Sequence, residues 1–266
     1  MRPAMKITVL GCHGSDAAIG HGYTRQPCRS VGLLVNDSLM IDAGTGASQL
    51  TLEEQLRIQY VVCSHLHFDH VKSLPALADN LVNQDGHSLT VASIPSVLDG
   101  LQRFIFNDSV FPNFFALPDH RRPLLMAHPL RVGEETWLGE VGITPIEVNH
   151  TVPTVGFLIR DHTVAWLYSG DTSSTEEIWI AASVTPNLKA AFIETSFPDE
   201  LQSLASMSRH LTPALLAQEF HKIGQPDLPV YAYHLKPLYE EQITRQLARL
   251  DIPALKILQE GQTIVL

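Results

Sequence analysis

Cysteine is scarce in this chain. Cys12, Cys28 and Cys63 are the three thiols in 266 residues, and their odd number and lack of a CxxC pair exclude a complete disulfide framework. They predict ordinary thiols in a reducing, cytoplasmic setting. Basic residues are also few: 18 Lys and Arg stand against 28 Asp and Glu, a net charge of -10. That balance argues against a protein that grips a long nucleic acid by neutralising many phosphates, and no long basic, glycine-rich arm compensates. No uninterrupted apolar run approaches a membrane span. Met1–Leu10 carries two basic residues but passes straight into a strand-like run, with no apolar signal core or small-residue cleavage site. The sequence therefore predicts a soluble protein with no membrane partner. Low-complexity linkers and short repeats are missing too, so one domain over 1–266 is expected.

What is there is a 45% hydrophobic composition cut into short runs by Gly, Asp and Ser turns. Lys6–Leu10, Val31–Val35, Leu39–Ile41 and Tyr60–Cys63 read as strands, followed by a helical stretch over Val71–Leu81, a strand at Leu89–Ala92 and a helix over Pro95–Phe104. The segment 105–118 holds Phe106, Phe111, Phe114 and Phe115 with two prolines and fits neither period; it predicts an irregular lid, pinned by buried aromatics or stacking a substrate. Strand patterns resume at Val141–Val148, Val155–Ile159, Val164–Tyr168 and Lys189–Ile193, with a helix over Thr175–Ala182. A helix over Pro213–Ile223, a strand at Val230–Tyr233, a helix over Leu238–Leu250 and a terminal strand pair close the chain. Two mixed sheets facing each other with helices outside, an α/β fold of αββα type, accommodate this order.

Histidine is the abundant chemistry: 13 residues. Ser64-His65-Leu66-His67-Phe68-Asp69-His70 places four potential metal ligands within six residues, directly after a strand. Imidazoles two apart on an extended segment point the same way, so His65 and His67 can share one ion, while Asp69 and His70 in the following turn reach a second. His150, Asp171 and His234 each follow a predicted strand. Alone, each reads as a turn former; beside the dense loop they complete the set of about seven protein ligands that two divalent ions sharing a water require. Zinc suits an imidazole-rich site with carboxylates, with Mn²⁺ or Fe²⁺ as alternatives. His13 lies in the first glycine-rich loop, within reach of a substrate phosphate, and Gly11 and Gly14 fit a tight turn there. His21, His87, His120, His128, His162 and His221 are expected on the surface. Thr172 and Ser173 are candidates to bond groups around Asp171.

The HxHxDH loop, the later His, the Gly-Asp and the final His resemble the metallo-β-lactamase superfamily along the whole chain. Gly11-Cys12-His13-Gly14-Ser15, His65–Ser73 with Leu74, His150–Phe157, Ser169-Gly170-Asp171-Thr172, Glu194-Thr195-Ser196-Phe197 and His210-Leu211-Thr212-Pro213 are similar to class II cyclic-nucleotide phosphodiesterases and, more distantly, to RNase Z. Phe68 departs from the Leu usual in the phosphodiesterase signature. The resemblance implies the metallo-β-lactamase sandwich and a homodimer. It also implies one ion on His65, His67 and His150, a second on Asp69, His70 and His234, and Asp171 as the bridge.

The implied activity is hydrolysis of 3′,5′-cyclic nucleotides, cAMP or cGMP, to 5′-nucleotides by attack of a metal-bridging hydroxide. Asp69 is a candidate to orient the attacking water. By resemblance to RNase Z, His210 held by Glu194 would protonate the leaving oxygen; otherwise His210 caps the helix at Pro213. Alternatives are an RNase Z-like 3′-end endoribonuclease, another hydrolase of the fold such as a lactonase or arylsulfatase, and a non-catalytic ligand sensor.

Overall fold

A computed structural model describes residues 4–20, 26–82 and 88–266. His21 and His87, expected on the surface, lie outside the described residues. The strands are Lys6–Gly11 (β1), Ala17–Ile19 (β2), Gln26–Cys28 (β3), Gly32–Val35 (β4), Leu39–Ile41 (β5), Tyr60–Val62 (β6), Leu89–Ser93 (β7), Pro118–Asp119 (β8), Arg122–Pro123 (β9) and Leu125–Pro129 (β10). They continue as Thr136–Leu138 (β11), Val141–Glu147 (β12), Val155–Arg160 (β13), Ala165–Tyr168 (β14), Leu188–Glu194 (β15), Val230–Tyr233 (β16), Leu255–Ile257 (β17) and Thr263–Val265 (β18). Two mixed sheets carry the fold, in the orders β10-β7-β6-β5-β4-β1-β18 and β11-β12-β13-β14-β15-β16-β17; β2 with β3 and β8 with β9 form small ribbons.

Period-two alternation explains how the second sheet buries both faces. Trp166 and Tyr168 of β14, Phe192 of β15, and Tyr231 and Tyr233 of β16 belong to one core with Val9, Leu33 and Met40 of the first sheet. The intervening Ala165, Leu167, Ala191, Ile193, Val230 and Ala232 pack in a second core. That core is completed by Ile178 and Trp179 of helix α5 (Glu177–Val184), Leu216 and Phe220 of α7 (Pro213–His221) and Ile243 and Leu247 of α8 (Glu240–Leu247). Large aromatics thus fill the space between sheets, and small or branched residues admit the outer helices.

Helices α1 (Leu52–Gln55), α2 (Phe68–Val71), α3 (Leu74–Asn80) and α4 (Pro95–Gly100) precede these, and α6 is Gln202–Ser208. The single helix expected over Val71–Leu81 is divided, because Pro75 starts a new helix in the first turn of α3. The helix expected over Pro95–Phe104 is α-helical to Gly100 and widens into a π turn over Leu101–Ile105. Residues 106–117 contain no regular element. Phe106 and Phe114 are buried, and Phe106 meets Phe115 edge-on with ring centroids 5.4 Å apart. The aromatics therefore pin the loop to the core and are spent on one another. The terminal strand pair is corrected: β17 extends the second sheet beside β16, whereas β18 pairs antiparallel with β1 in the first. Among the described residues, no helix is long and apolar enough to cross a membrane.

Candidate metal centre

Loops at the carboxyl ends of the parallel strands β5, β6, β14, β15 and β16 converge along one edge of the sandwich. His65 follows β6. His67 stands at the start of α2, which carries Asp69 and His70. His150 lies beyond β12, Asp171 beyond β14 and His234 directly after β16, in the left-handed conformation at φ 67°. Ligand atoms of His65, His67, His150 and Asp171 all lie within 4.8 Å of one another, as do those of Asp69, His70 and His234 and those of Asp171, His210 and His234.

Distances within the cluster are close to those between ligands that share a cation. His150 Nε2 is 3.1 Å from His67 Nδ1, and His70 Nε2 is 3.3 Å from His234 Nε2. Two ligands of one tetrahedral ion, each at about 2.0–2.1 Å, stand about 3.3–3.4 Å apart. Asp171 Oδ2 lies 3.3 Å from His234 Nε2, 3.8 Å from His65 Nε2 and 4.0 Å from His150 Nε2. Asp171 Oδ1 is 3.4 Å from His70 Nε2 yet makes no hydrogen bond, and His65 Nε2 is equally buried and unpaired. Buried polar atoms left unpaired are costly, and converging lone pairs are what a divalent ion satisfies.

A surrounding shell aims the rings. Nδ1 of His65 is 2.9 Å from Ser64 Oγ, Nδ1 of His70 is 2.7 Å from Asp42 Oδ2, Nδ1 of His150 is 3.0 Å from the Arg209 carbonyl, and Nδ1 of His234 is 2.8 Å from Ser196 Oγ. Each of these four rings therefore turns Nε2 to the centre. Burial holds His65 well below the usual imidazole range.

Glu194 and His210 meet beside this cluster. His210 Nδ1 lies 2.7 Å from Glu194 Oε1, and Ser196 Oγ lies 3.0 Å from Glu194 Oε2 and 3.1 Å from His210 Nδ1. Burial alone would lower the His210 pKa, but the charge and hydrogen bond of Glu194 outweigh it and raise it. The helix at Pro213 is capped instead by Thr212, whose hydroxyl accepts from the Leu215 N–H.

Some expectations change. His13 does not join the cluster; its ring sits between Glu260 and Glu240. Gly14 packs on the metal edge, where an added Cβ would lie 2.8 Å from the His234 carbonyl oxygen. Thr172, expected to bond groups around Asp171, donates its N–H to Glu194 at 3.1 Å. His120, His162 and His221 are exposed and His128 is half-buried.

Four participants escaped the sequence reading: Asp42, Ser196, Arg209 and Lys236. Asp42 ends β5 as the other acidic and histidine positions end theirs, so the same strand-end rule could have found it. Arg209 Nη1 donates to the His150 carbonyl at 2.6 Å. Lys236 Nζ donates to the Gly14 carbonyl at 2.6 Å and stands 3.9 Å from Asp69 Oδ2.

Residues 38–250 match the sequence pattern of a beta-lactamase superfamily domain. The chain belongs to the beta-lactamase superfamily. That membership makes it a metal-dependent hydrolase whose His and Asp groups serve divalent ions. Among solved structures, this superfamily member is similar to unliganded yeast PDE1, with a TM-score of 0.82, 18% identity and 100% of each chain covered. It is also similar to the metallo-beta-lactamase fold protein YhfI from Bacillus subtilis (TM-score 0.76, 17% identity, 98% of this chain and 99% of that one). Human tRNase Z, short form, is a third (TM-score 0.68, 15% identity, 97% and 98%). No curated protein sequence matches the chain.

Proposed function

We propose that this chain is a dinuclear phosphodiesterase that hydrolyses 3′,5′-cyclic nucleotides to 5′-nucleotides. The observation that carries the reading is the Glu194–His210 pair set directly against Asp171 and His234. A hydrolase acting on a bond with a good leaving group needs no such acid; a ribose 3′ oxygen leaves as an alkoxide unless it is protonated. Glu194 holds Nδ1 of His210 and favours the imidazolium, which leaves Nε2 to deliver the proton.

His65, His67 and His150 would hold one ion and Asp69, His70 and His234 the other, with Asp171, which faces four of these histidines, available to both. Zinc is the metal we assign, on the imidazole-rich donor set. Such ions acidify a bound water towards a pKa of about 7 and offset charge on the phosphoryl oxygens. Asp69, 3.4 Å from His234 Nε2, would help to orient the attacking water. Lys236, partly exposed beside Asp69, presents an ammonium to a non-bridging phosphate oxygen. The net charge of -10 suits a small anion, whose charge is met locally, better than an RNA. The likeness in fold to yeast PDE1 supports the same choice.

The test is incubation of the zinc- or manganese-loaded protein with cyclic AMP and cyclic GMP, with products identified by chromatography. Formation of a 5′-monophosphate is expected. Cleavage of bis(p-nitrophenyl) phosphate alone would overturn the cyclic-nucleotide assignment and favour RNA ends or other diesters.

A further inference from the structure

A second cluster of metal-binding side chains lies away from the catalytic edge, at the base of the β2–β3 ribbon. His13, Cys28 and Glu240 place an imidazole nitrogen, a thiol sulfur and a carboxylate oxygen within 4.8 Å of one another. They line a cavity of about 520 Å³ together with Cys12, Leu258 and Glu260. His13 Nε2 stands 3.5 Å from Glu240 Oε2, too long for a good hydrogen bond, and the Cys28 thiol donates a long bond to the same oxygen at 3.8 Å. Around one tetrahedral ion with bonds of about 2.0–2.2 Å to nitrogen and oxygen and about 2.3 Å to sulfur, the corresponding separations are about 3.4 and 3.6 Å.

The ring is also prepared in the way metal-binding histidines are. His13 Nδ1 lies 3.0 Å from Glu260 Oε1, and Glu260 is itself fixed by Arg29, whose backbone N–H and Nη1 each donate at 2.6 Å. A carboxylate on Nδ1 sets the tautomer and turns Nε2 outwards to Glu240 and Cys28. Cys28 is 2% exposed, so its sulfur reaches little besides this cavity.

We infer that His13, Cys28 and Glu240 form a separate zinc(II) site, with a fourth position open to water. A thiolate, a carboxylate and a neutral imidazole make the complex with a dication electrically neutral, and the soft sulfur selects zinc over hard cations such as Mg²⁺ or Ca²⁺. Without a cation the pocket keeps the thiol protonated, since burial first, then Glu240 and Glu260, push it up to about 12. Binding therefore releases the thiol proton. The site joins three distant parts of the chain: the loop after β1, the end of β3 and the first residue of α8. His13 pairs with Leu235 beside the catalytic edge, and the Cys12 carbonyl accepts the His234 N–H at 2.6 Å. An ion here fastens the segment that backs His234. It stands independently of the substrate proposed above.

Cobalt(II) exchange separates this site from the catalytic one, whose candidate ligands include no sulfur. The protein dialysed against Co²⁺ should show a near-ultraviolet thiolate-to-cobalt charge-transfer band. That band should vanish in C28S and persist in C12S, because the Cys12 thiol donates to the Leu258 carbonyl. The protein should also retain one more zinc per chain than C28S after dialysis, with thermal melts confirming that both variants are folded. A conservative E240Q change should weaken the band as well. Absence of the band while catalytic d–d absorption saturates, or its survival in C28S, overturns the assignment.

Discussion

Asp42 Oδ2 lies 2.7 Å from His70 Nδ1, both side chains fully buried, and the same oxygen accepts from the Tyr168 hydroxyl at 2.6 Å. Asp42 also accepts from the Ser64 N–H and hydroxyl at 2.7 Å, so one carboxylate aligns both the His70 ring and the start of the metal loop. D42N is expected to weaken zinc binding by about 10–100-fold, since it disturbs the group that orients a ligand without removing the ligand. Competition against a zinc chelator measures this; affinity equal to the parent protein would count against an orienting role.

Proton delivery is separable from metal binding. H210Q should keep its zinc content and lose about 10²–10⁴-fold in turnover of cyclic AMP. Hydrolysis of bis(p-nitrophenyl) phosphate should stay within a few fold, because p-nitrophenolate leaves without a proton. E194Q should follow H210Q in the same direction, and parallel losses on both substrates would show that the pair acts on structure.

Gly44 lies under the metal loop with no room to spare: a Cβ would stand 1.9 Å from the Asp69 carbonyl oxygen and 2.7 Å from that of Val31. Both obstacles are backbone, so G44A must displace α2 or the residue leading into β4. We expect loss of bound zinc together with a destabilisation of about 1–3 kcal/mol or more. Metal analysis and chemical denaturation check it.

Asp16 ties the first loop to the segment after the metal ligands, accepting from Lys72 Nζ at 2.5 Å and from the Ser30 N–H and hydroxyl at 2.8 and 2.9 Å. Burial alone would raise its pKa, but these partners bring it below the ordinary 3.8. A carboxylate lowered on folding stabilises above its unfolded pKa, and that contribution fades as pH falls through the folded value. The difference in Tm between the parent and D16N should therefore be constant from pH 8 to 5 and close below about pH 3.8. A gap unchanged at pH 3 would refute the assignment.

Much of the fold is visible in local patterns. Leu39–Ile41 and Val230–Tyr233 have the predicted bounds, since short apolar runs ended by Asp or His leave little choice. Partnership is less legible. Nothing local tells Leu255–Ile257 and Thr263–Val265 that they belong to different sheets, because pairing is decided by which edge is open when the chain returns. At the site, the dense loop from His65 to His70 announces itself through spacing. Ser196 and Arg209 do not: the first acts by a single hydroxyl and the second through its own carbonyl and one donated bond, neither of which leaves a mark in composition.

Three side-chain neighbours of the Ser196 hydroxyl impose a count. One oxygen faces a Glu194 carboxylate, His210 Nδ1 and His234 Nδ1, but has one hydrogen to give. Given to Glu194, which as a carboxylate offers none in return, it obliges any imidazole nitrogen bonded to that oxygen to bring its own. His234 then carries its hydrogen on Nδ1 and keeps the Nε2 lone pair for metal, while His210 carries one on Nδ1 and holds a removable proton only on Nε2. A rotor of two heavy atoms thus decides which ring in this cluster is a base towards metal and which is an acid towards substrate.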